Sequence, residues 1–382
     1  MSKLQELIKE LCPDGVEFRK LGEVCEIYTG GEPPKDTIKG DNKDEKHVYP
    51  VWANGKEVYG YSSTYKIDKD ATVISSIGAN TGSIYFRKAY FTPIIRLKVL
   101  VPKNNNLISK YLYYYLSTVT FVVKSSSVPN MNANEVKKLE IPLPSLEVQN
   151  EIVRILDTFT AHTAELQAEL QAREEQYEYY RNKLLTFDEN DERVKWIKLG
   201  EIGNTCMCKR IMKHQTSDIG EVPFFKIGTF GKEADAFISY ELYDEYKNKY
   251  SFPRKGEILI SASGTIGRTV IYDGQDAYFQ DSNIIWIQND ESKVLNKYLY
   301  YYYQIIEWNV EGGTIKRLYN TNLSKTIIAY PPLSEQKRII SILDKFESLV
   351  NDLSEGLPTE IAAVQEQYEY YRNKLLTFKR KS

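Results

Sequence analysis

Cysteine and histidine are scarce in this 382-residue chain: four cysteines (Cys12, Cys25, Cys206, Cys208) and three histidines (His47, His162, His214). No two cysteines form a CxxC pair and the histidines fall far from metal-ligand spacing, so a structural zinc is not expected. Long hydrophobic runs are also missing. No stretch nears the 18 residues that would suggest a membrane span, and the Met1 end carries no signal-peptide pattern, so a reduced cytoplasmic location is expected. The sequence has no Asn/Asp-Pro-Pro-aromatic run for amino-methyl transfer, no Walker loop and no GxGxxG opening a helix, which speaks against an enzyme.

What the chain does have is a perfect internal repeat. The string EQYEYYRNKLLTF runs over residues 175–187 and again, unchanged, over 366–378. Thirteen identical residues do not recur by chance, so the chain is built as two halves, each ending in the same helix. Further anchors follow: KLGE at 20–23 and 198–201, AYF at 89–91 and 277–279, KYLYYY at 110–115 and 297–302, and ILD at 155–157 and 342–344. Between anchors the halves match poorly, which suggests a shared frame presenting two different surfaces.

The formal charge of −2 is unevenly spread. Residues 146–187 carry a net −4 and residues 335–378 a net −3, which leaves +5 elsewhere, three of it from Lys379, Arg380 and Lys381. Faintly basic heads give weak electrostatic support for binding nucleic acid and leave a partner to supply much of the phosphate attraction.

Coarse patterning predicts a short helix in the first dozen residues, with Leu4, Leu7, Ile8 and Leu11 on one face, stopped by Pro13 and Gly15. Strands alternating with Gly, Asn and Pro turns are expected over 16–101 and again over 196–287. Tyrosine-rich helices are expected over 107–122 and 294–310. Each head then closes through a polar loop and a proline-rich segment, so the division reads as a first head (1–145), a first helix (146–187), a second head (188–333) and a second helix (334–382).

From Ser145 a three-four alternation runs through Val148, Ile152, Ile155, Phe159, His162, Leu166, Leu170, Arg173, Tyr177, Tyr180, Leu184 and Phe187. The second copy uses Ile339, Ile342, Phe346 and Leu349, breaks at Gly356 and Pro358, and resumes through Ile361, Val364, Tyr368, Tyr371, Leu375 and Phe378. Rods with the same apolar face can bury it against each other about an internal pseudo-twofold, which makes them antiparallel and places the heads at opposite ends. The predicted fold is two mixed α/β (α+β) heads joined by two long antiparallel coiled-coil helices. Each buried Leu, Ile or Tyr contributes on the order of 1.5–3 kcal/mol, so such a pairing is expected to be permanent.

At this level of detail the chain resembles the specificity (S) subunits of type I restriction–modification systems. The resemblance is carried by IKELCPDGVEFRKLGEV at 8–24, PPLSEQKRIISILDKF at 331–346 with a looser copy PLPSLEVQNEIVRILDTF at 142–159, the doubled YRNKLLTF, and ISASGTIGRTVIYDGQDAYFQDSN at 260–283. It implies that each head is a target-recognition domain for double-stranded DNA and that the helices are constant regions on which two methyltransferase (M) subunits dock. A fuller complex would add two restriction/motor (R) subunits. It also implies a non-catalytic chain that binds no cofactor, with S-adenosylmethionine expected on the methyltransferase partner. Two unlike heads held apart by a rod would read a bipartite, asymmetric site with an unread spacer. The rival reading is a two-headed coiled-coil adaptor that binds proteins instead of DNA.

Candidate DNA contacts in the first head are Lys56, Arg87, Lys88 and the loop bearing Lys124, Ser126, Asn130 and Asn132. In the second head they are Lys209, Arg210, Lys213, His214, Arg268, and the loop bearing Lys316, Arg317, Asn320 and Asn322. Short amides near cations can bond phosphates and base edges, with Asn suited to adenine and Arg to guanine. The bland alternative is a solvated loop capped by asparagines, and for the isolated cations ordinary surface charge. GANTG at 78–82 and SGTIG at 263–267 read as tight turns between strands. Tyr179, Arg181 and Lys183, with Tyr370, Arg372 and Lys374, lie off the seam and are identical in both copies, which suggests one kind of partner bound twice. A recent duplication would give the same identity.

Overall fold

The structure, a computed structural model, describes residues 3–119, 131–313, 316–351 and 356–381. The chain forms two compact units that do not coincide with its sequence repeats: Met1–Gln167 with Glu360–Ser382, and Ala168–Thr359. Each unit therefore takes a helical segment from both repeats.

In the first unit α1 (Lys3–Leu11) buries Leu4, while Leu11 stays 41 % exposed. Strand β1 (Glu17–Lys20) pairs antiparallel with β10 (Glu140–Leu143), and the one-turn helix α2 (Leu21–Val24) follows it. An antiparallel sheet runs in the order β2 (Cys25–Thr29), β9 (Lys98–Pro102), β6 (Ala71–Ile74), β7 (Ile84–Arg87). Strand β6 is ATVI and is buried along its whole length, as its β-branched residues favour in a central strand. A second sheet orders β3 (Ile38–Lys39), β5 (Gly60–Ser62), β4 (Tyr49–Trp52), β8 (Thr92–Pro93), with β4 and β8 parallel. Helices α3 (Ser109–Leu116) and α4 (Ala133–Lys138) precede β10, and α5 (Leu146–Leu185) follows it.

The second unit repeats this plan with variations. Strand β11 (Lys195–Lys198) pairs with β19 (Ile327–Tyr330), and a four-stranded sheet runs β12 (Gly203–Cys206), β18 (Ile284–Asn289), β15 (Ile258–Ser261), β16 (Thr269–Ile271). The smaller sheet is β14 (Phe237–Ile238), β13 (Val222–Phe225), β17 (Tyr278–Phe279), again with one parallel pair. An inserted helix, α6 (Tyr240–Lys249), sits where sequence patterning predicts only strands. Its Ser239 cap accepts from the Leu242 N–H at 3.3 Å, and Lys247 and Lys249 lie in its last turn, a start-and-stop signature that periodicity alone passes over. Then come α7 (Asn296–Tyr303), α8 (Asn320–Lys325), α9 (Leu333–Asn351) and α10 (Leu357–Leu375), the last belonging to the first unit.

The tyrosine helices are eight residues each, half the predicted length. Helix α3 stops where the Ser117 hydroxyl donates to the Tyr113 carbonyl at 2.8 Å, a local bond that competes with continuing the helix. Strand pairing also corrects one repeat anchor. Trp52 opposes Pro93 and Phe225 opposes Phe279, so Pro93 corresponds to Phe279, and the AYF triplets are displaced by two residues. Accordingly Tyr90 is exposed with a left-handed backbone, whereas Tyr278 is buried in a strand.

The remaining anchors mark a duplicated joint between head and helix. Gln149 and Gln336 are fully buried and make the same bonds. Gln149 accepts from the Ile108 N–H at 2.9 Å and donates to the Asn106 and Pro144 carbonyls, both at 2.9 Å. Gln336 accepts from the Leu295 N–H at 2.9 Å and donates to Lys293 and Pro331 at 2.9 and 2.8 Å. Above them the Tyr114 hydroxyl donates to Asp157, which also pairs with Lys110 at 2.8 Å. Tyr301 and Lys297 make the equivalent contacts to Asp344. Burial, and then the neighbouring carboxylate, push the Tyr114 phenol well above its usual range, so it remains a donor.

Within each unit the helix segments run antiparallel. In the first, Phe159 stacks on Tyr371 at 5.5 Å, while the end of the chain returns to the start of α5: the Val16 N–H donates to Lys379 O at 2.9 Å, and β1 pairs with the strand leading into α5. In the second, Tyr180 stacks on Phe346 at 5.3 Å, and Phe187 borders one cavity with Pro332 and Glu335 at the start of α9. Val148, Ile152, Leu166, Tyr177 and Ile339 of the predicted seam are buried, but elsewhere the buried stripe is shifted by one residue. Leu156, Leu185, Leu343 and Leu376 are buried, whereas Ile155, Leu184, Ile342 and Leu375 are only partly so. Ile152 and Ile339 are buried in cores shared with the heads, Leu349 is exposed beside buried Val350, and His162 is exposed. The rotation arises because these helices must cover a head as well as another helix.

Gln336→Leu leaves one N–H and two carbonyls of a buried joint unpaired. It is expected to destabilise the second unit by about 3 kcal/mol, read as a lower urea midpoint. An unchanged midpoint would contradict the role given to this side chain.

Candidate nucleic-acid interface

In each head three loops meet at one end of the larger sheet. In the first head the β6–β7 connection closes tightly, with the Gly82 N–H donating to Ser75 O at 2.8 Å, so GANTG is a turn. Next to it lies the β8–β9 turn, where Ile95 (φ 49°) and Arg96 (φ 60°) are both left-handed. For a β-branched residue this conformation costs on the order of 1–3 kcal/mol and needs surroundings that enforce it. Asn54 supplies part of that constraint: its amide donates to Ile95 O, its carbonyl oxygen accepts from the Ser76 N–H at 2.8 Å, and its backbone O accepts from Ser75 Oγ at 2.6 Å. Ser76 Oγ donates to Arg96 O, and Ile95 and Arg96 N–H reach Gly31 O and Gly30 O at 2.8 and 3.0 Å. The result is a rigid turn that displays Ile95 and Arg96 to solvent. The third loop re-enters at Met131, whose N–H donates to Ser76 O at 2.9 Å.

The second head builds the same convergence from other residues. Gly267 N–H donates to Ser261 O at 2.9 Å, making SGTIG a turn, and Ser282 (φ 54°) is the left-handed residue between β17 and β18. The Ala262 N–H donates to Asn283 O at 2.7 Å and its carbonyl accepts from Leu318 N–H at 2.9 Å, the counterpart of the Ser76–Met131 bond. Arg317 donates to Ser282 O and, at 3.3 Å, to Asn283 Oδ1, which also accepts from Ser263 Oγ at 2.8 Å. Arg210 pairs with Asp281 at 2.9 Å. Two arginines thus bracket this turn, while the first head has its cation on the turn itself.

The other sequence-predicted positions distribute as follows. Lys124, Ser126 and Asn130 lie outside the described residues. Asn132 caps α4 in a reciprocal capping box with Glu135, as the bland reading has it. Asn322 is buried, with its amide donating to Asn309 O and Glu311 Oε1, both at 3.0 Å, so its carboxamide faces inward. Asn320 opens α8, and the register of Met131 with Leu318 aligns it with Ala133, so the asparagines do not recur at equivalent positions. Arg87 packs inward, 3.6 Å from the Trp52 ring centre, its guanidinium bonded to Gly55 O and Lys56 O at 3.1 and 3.2 Å. Burial pulls its pKa down. Arg268 donates to Phe230 O at 2.9 Å. Lys56, Lys209, Lys213, His214 and Lys316 are exposed, and Lys88 pairs with Asp70 at 3.2 Å. Sequence reasoning missed Asn54, Ile95, Arg96 and Ser282. Nothing in the string IIRL marks a left-handed turn, because isoleucine and arginine rarely adopt one.

The duplicated helix face splits. Tyr179 and Tyr370 are 59 % and 58 % exposed, with Lys183 and Lys374 over their rings at 5.6 and 5.3 Å. Arg181 and Arg372 instead fold back onto Tyr177 and Tyr368, at 5.2 and 5.4 Å from the ring centres, each with a buried Nε lacking a hydrogen-bond partner. The outward patch is therefore a tyrosine–lysine pair, present twice. Among the described residues there is no cluster of metal ligands, and no helix is long and apolar enough to cross a membrane.

Two heads of one plan with different loop ends, each joined to a copy of one helix, define a duplicated recognition protein. The model of the type I restriction modification DNA specificity domain matches residues 13–175 and 191–363, and the chain belongs to that family of specificity subunits. A Haemophilus influenzae protein assigned as a type I restriction enzyme specificity subunit is 46 % identical over 95 % of this chain and 96 % of its own length. The EcoR124I/EcoR124II specificity subunit of Escherichia coli is 30 % identical over 99 % and 98 %. In fold, the chain is similar to the S subunit of a type I restriction–modification system from M. genitalium, with TM-score 0.62, 16 % identity, and coverage of 95 % and 96 %. The chain is accordingly a DNA-recognition component and not the catalyst of such a complex.

Ile95→Gly removes the β-branched side chain from a left-handed position and is expected to stabilise the first unit by about 1 kcal/mol in urea unfolding. Ile95→Val should bring no gain. Equal midpoints for Ile95→Gly and the unmodified protein would mean that the turn is not strained.

Proposed function

We propose that each head reads one half of a bipartite, asymmetric DNA site and that the helices fix the length of the unread interval. The observation carrying this reading is the convergence of three loops on a clamped left-handed turn in both heads, with different residues displayed: Ile95 and Arg96 in one, Ser282 and Asn283 with Arg210 and Arg317 in the other. A common frame with unlike tips is what reading two unlike half-sites requires, since base contacts specify sequence while the frame only positions them. Electrophoretic mobility shift of the full chain on mixed-sequence and target duplexes, alone and with a cognate methyltransferase, tests it. Site-selective retardation is expected, and its absence in both mixtures would favour a protein-binding adaptor.

Two methyltransferase subunits dock on the helices, each using one copy of the exposed tyrosine–lysine face, and the methyl donor S-adenosylmethionine binds that partner and not this chain. Two restriction/motor subunits complete the larger complex. Tyr179→Glu or Tyr370→Glu alone is expected to leave one methyltransferase bound and the double variant none, read as complex mass by light scattering. Two partners retained by the double variant would place docking elsewhere.

A four-residue helical insertion after Gln167 lengthens α5 by ~6 Å, close to two base-pair rises of ~3.4 Å. Methylation mapping should then find the same two half-sites with a spacer about two base pairs longer. Altered half-sites with an unchanged spacer would refute the ruler.

A further inference from the structure

The strained turn of the first head also gathers positive charge that no described residue neutralises. Lys98, directly after the turn on β9, is 6 % exposed, yet among the described residues its ammonium has one partner, the Thr29 hydroxyl at 3.1 Å. Two of its three N–H donors find no acceptor among the described residues. Burial, and then the neighbouring cation Arg96, pull the lysine pKa down. Arg96 is exposed and makes no side-chain hydrogen bond or ion pair among the described residues. Buried charges in proteins are almost always paired, so a buried lysine beside an exposed arginine, with no carboxylate bonded to either among the described residues, suits an anionic ligand. Space beside the turn is open: a side chain at Gly31, whose carbonyl holds Ile95, would meet no described atom within 4 Å. In the second head the position of Lys98 is Ile285, which opposes Ile260 as Lys98 opposes Ile74, so the charge pair belongs to the first head alone.

We propose that Arg96 and Lys98 form a seat for one backbone phosphate of DNA bound to the first head. This rests on the DNA-reading function proposed above. The clamped turn fixes where the Arg96 guanidinium is presented, and Lys98 supplies a second charge from beneath it. A phosphate there would set the register of the head on the duplex without reading sequence, leaving specificity to the neighbouring loops.

The test uses the full chain with its methyltransferase partner and 30-base-pair duplexes, one carrying the target and one of mixed sequence, titrated across salt concentrations. Arg96→Asn keeps a residue that tolerates the left-handed conformation, Lys98→Met keeps the buried stem, and Lys9→Gln on α1 is the charge-matched control. Each of the first two is expected to weaken binding to both duplexes by about tenfold and to flatten the slope of log K against log salt by roughly 0.9, the value for one phosphate. The double variant should flatten it no further, and the control should match the unmodified protein. Arg96→Asn alone decides the matter if Lys98→Met fails to fold. An unchanged slope and affinity overturn the seat, and a loss confined to the target duplex overturns it in favour of base reading by Arg96. Failure of the unmodified protein to bind either duplex is a separate result, which overturns the function itself and this seat with it.

Discussion

Reciprocal aromatic stacking between the two repeats is the interaction on which the rest depends. Tyr371, from the second copy of the duplicated helix, lies on Phe159 of the first repeat, and Tyr180, from the first copy, lies on Phe346 of the second. Neither repeat completes a compact unit from its own residues, because each sends its terminal helix to cover the other's. Both copies of the thirteen-residue string thus meet the equivalent phenylalanine of the other repeat. The same logic applies at the junctions. At the inner junction the chain passes covalently from Leu185 to β11, while at the outer one the link is made by hydrogen bonds, Val16 N–H to Lys379 O and Lys381 N–H to Val16 O, at 2.9 and 2.8 Å. Arg380 strengthens that closure through Glu140 and by lying 4.4 Å from the Phe18 ring centre.

On this base sits a rigid joint from which the heads vary. Buried glutamines, buried tyrosines and the Lys–Asp pairs are duplicated almost atom for atom, whereas the loops at the sheet ends share only their backbone connections. Energetically this is a sensible division. A buried, fully bonded polar joint is costly to disturb, so it holds the frame, while exposed turns can change residues at small cost. The charge distribution follows it: acidic helices and faintly basic heads, with Arg96 on one clamped turn and Arg210 and Arg317 beside the other.

Much of this was legible in the sequence, and the failures have identifiable causes. KYLYYY and ILD led to a true register because Tyr111, Tyr114 and Asp157 perform one task in both halves. AYF misled because its residues sit at inequivalent backbone positions, one tyrosine on a surface turn and the other in a strand. The inserted α6 escaped notice because its apolar face is mostly tyrosine, which also suits strands. The seam was off by one residue wherever a helix covers a head, as Val350 against Leu349 shows. Of the candidate DNA contacts, Arg87 and Asn322 turn inward, since a long cation and a small amide can satisfy buried partners as readily as a ligand. The left-handed turns were invisible because their residues follow no local rule and are forced by Asn54, Ser76 and Arg317 from distant parts of the chain.

Cysteine cross-linking tests the reciprocal exchange most directly, with residue pairs 159/371 and 180/346 changed to cysteine in separate proteins whose native cysteines are replaced. Treatment with a short bismaleimide at low protein concentration should close a cross-link within one chain in both variants, giving faster migration on a denaturing gel and no dimer, since the space of two stacked rings exceeds the reach of a direct disulfide. Cross-links that form only between chains, or that form in one variant and not in the other, would contradict the account.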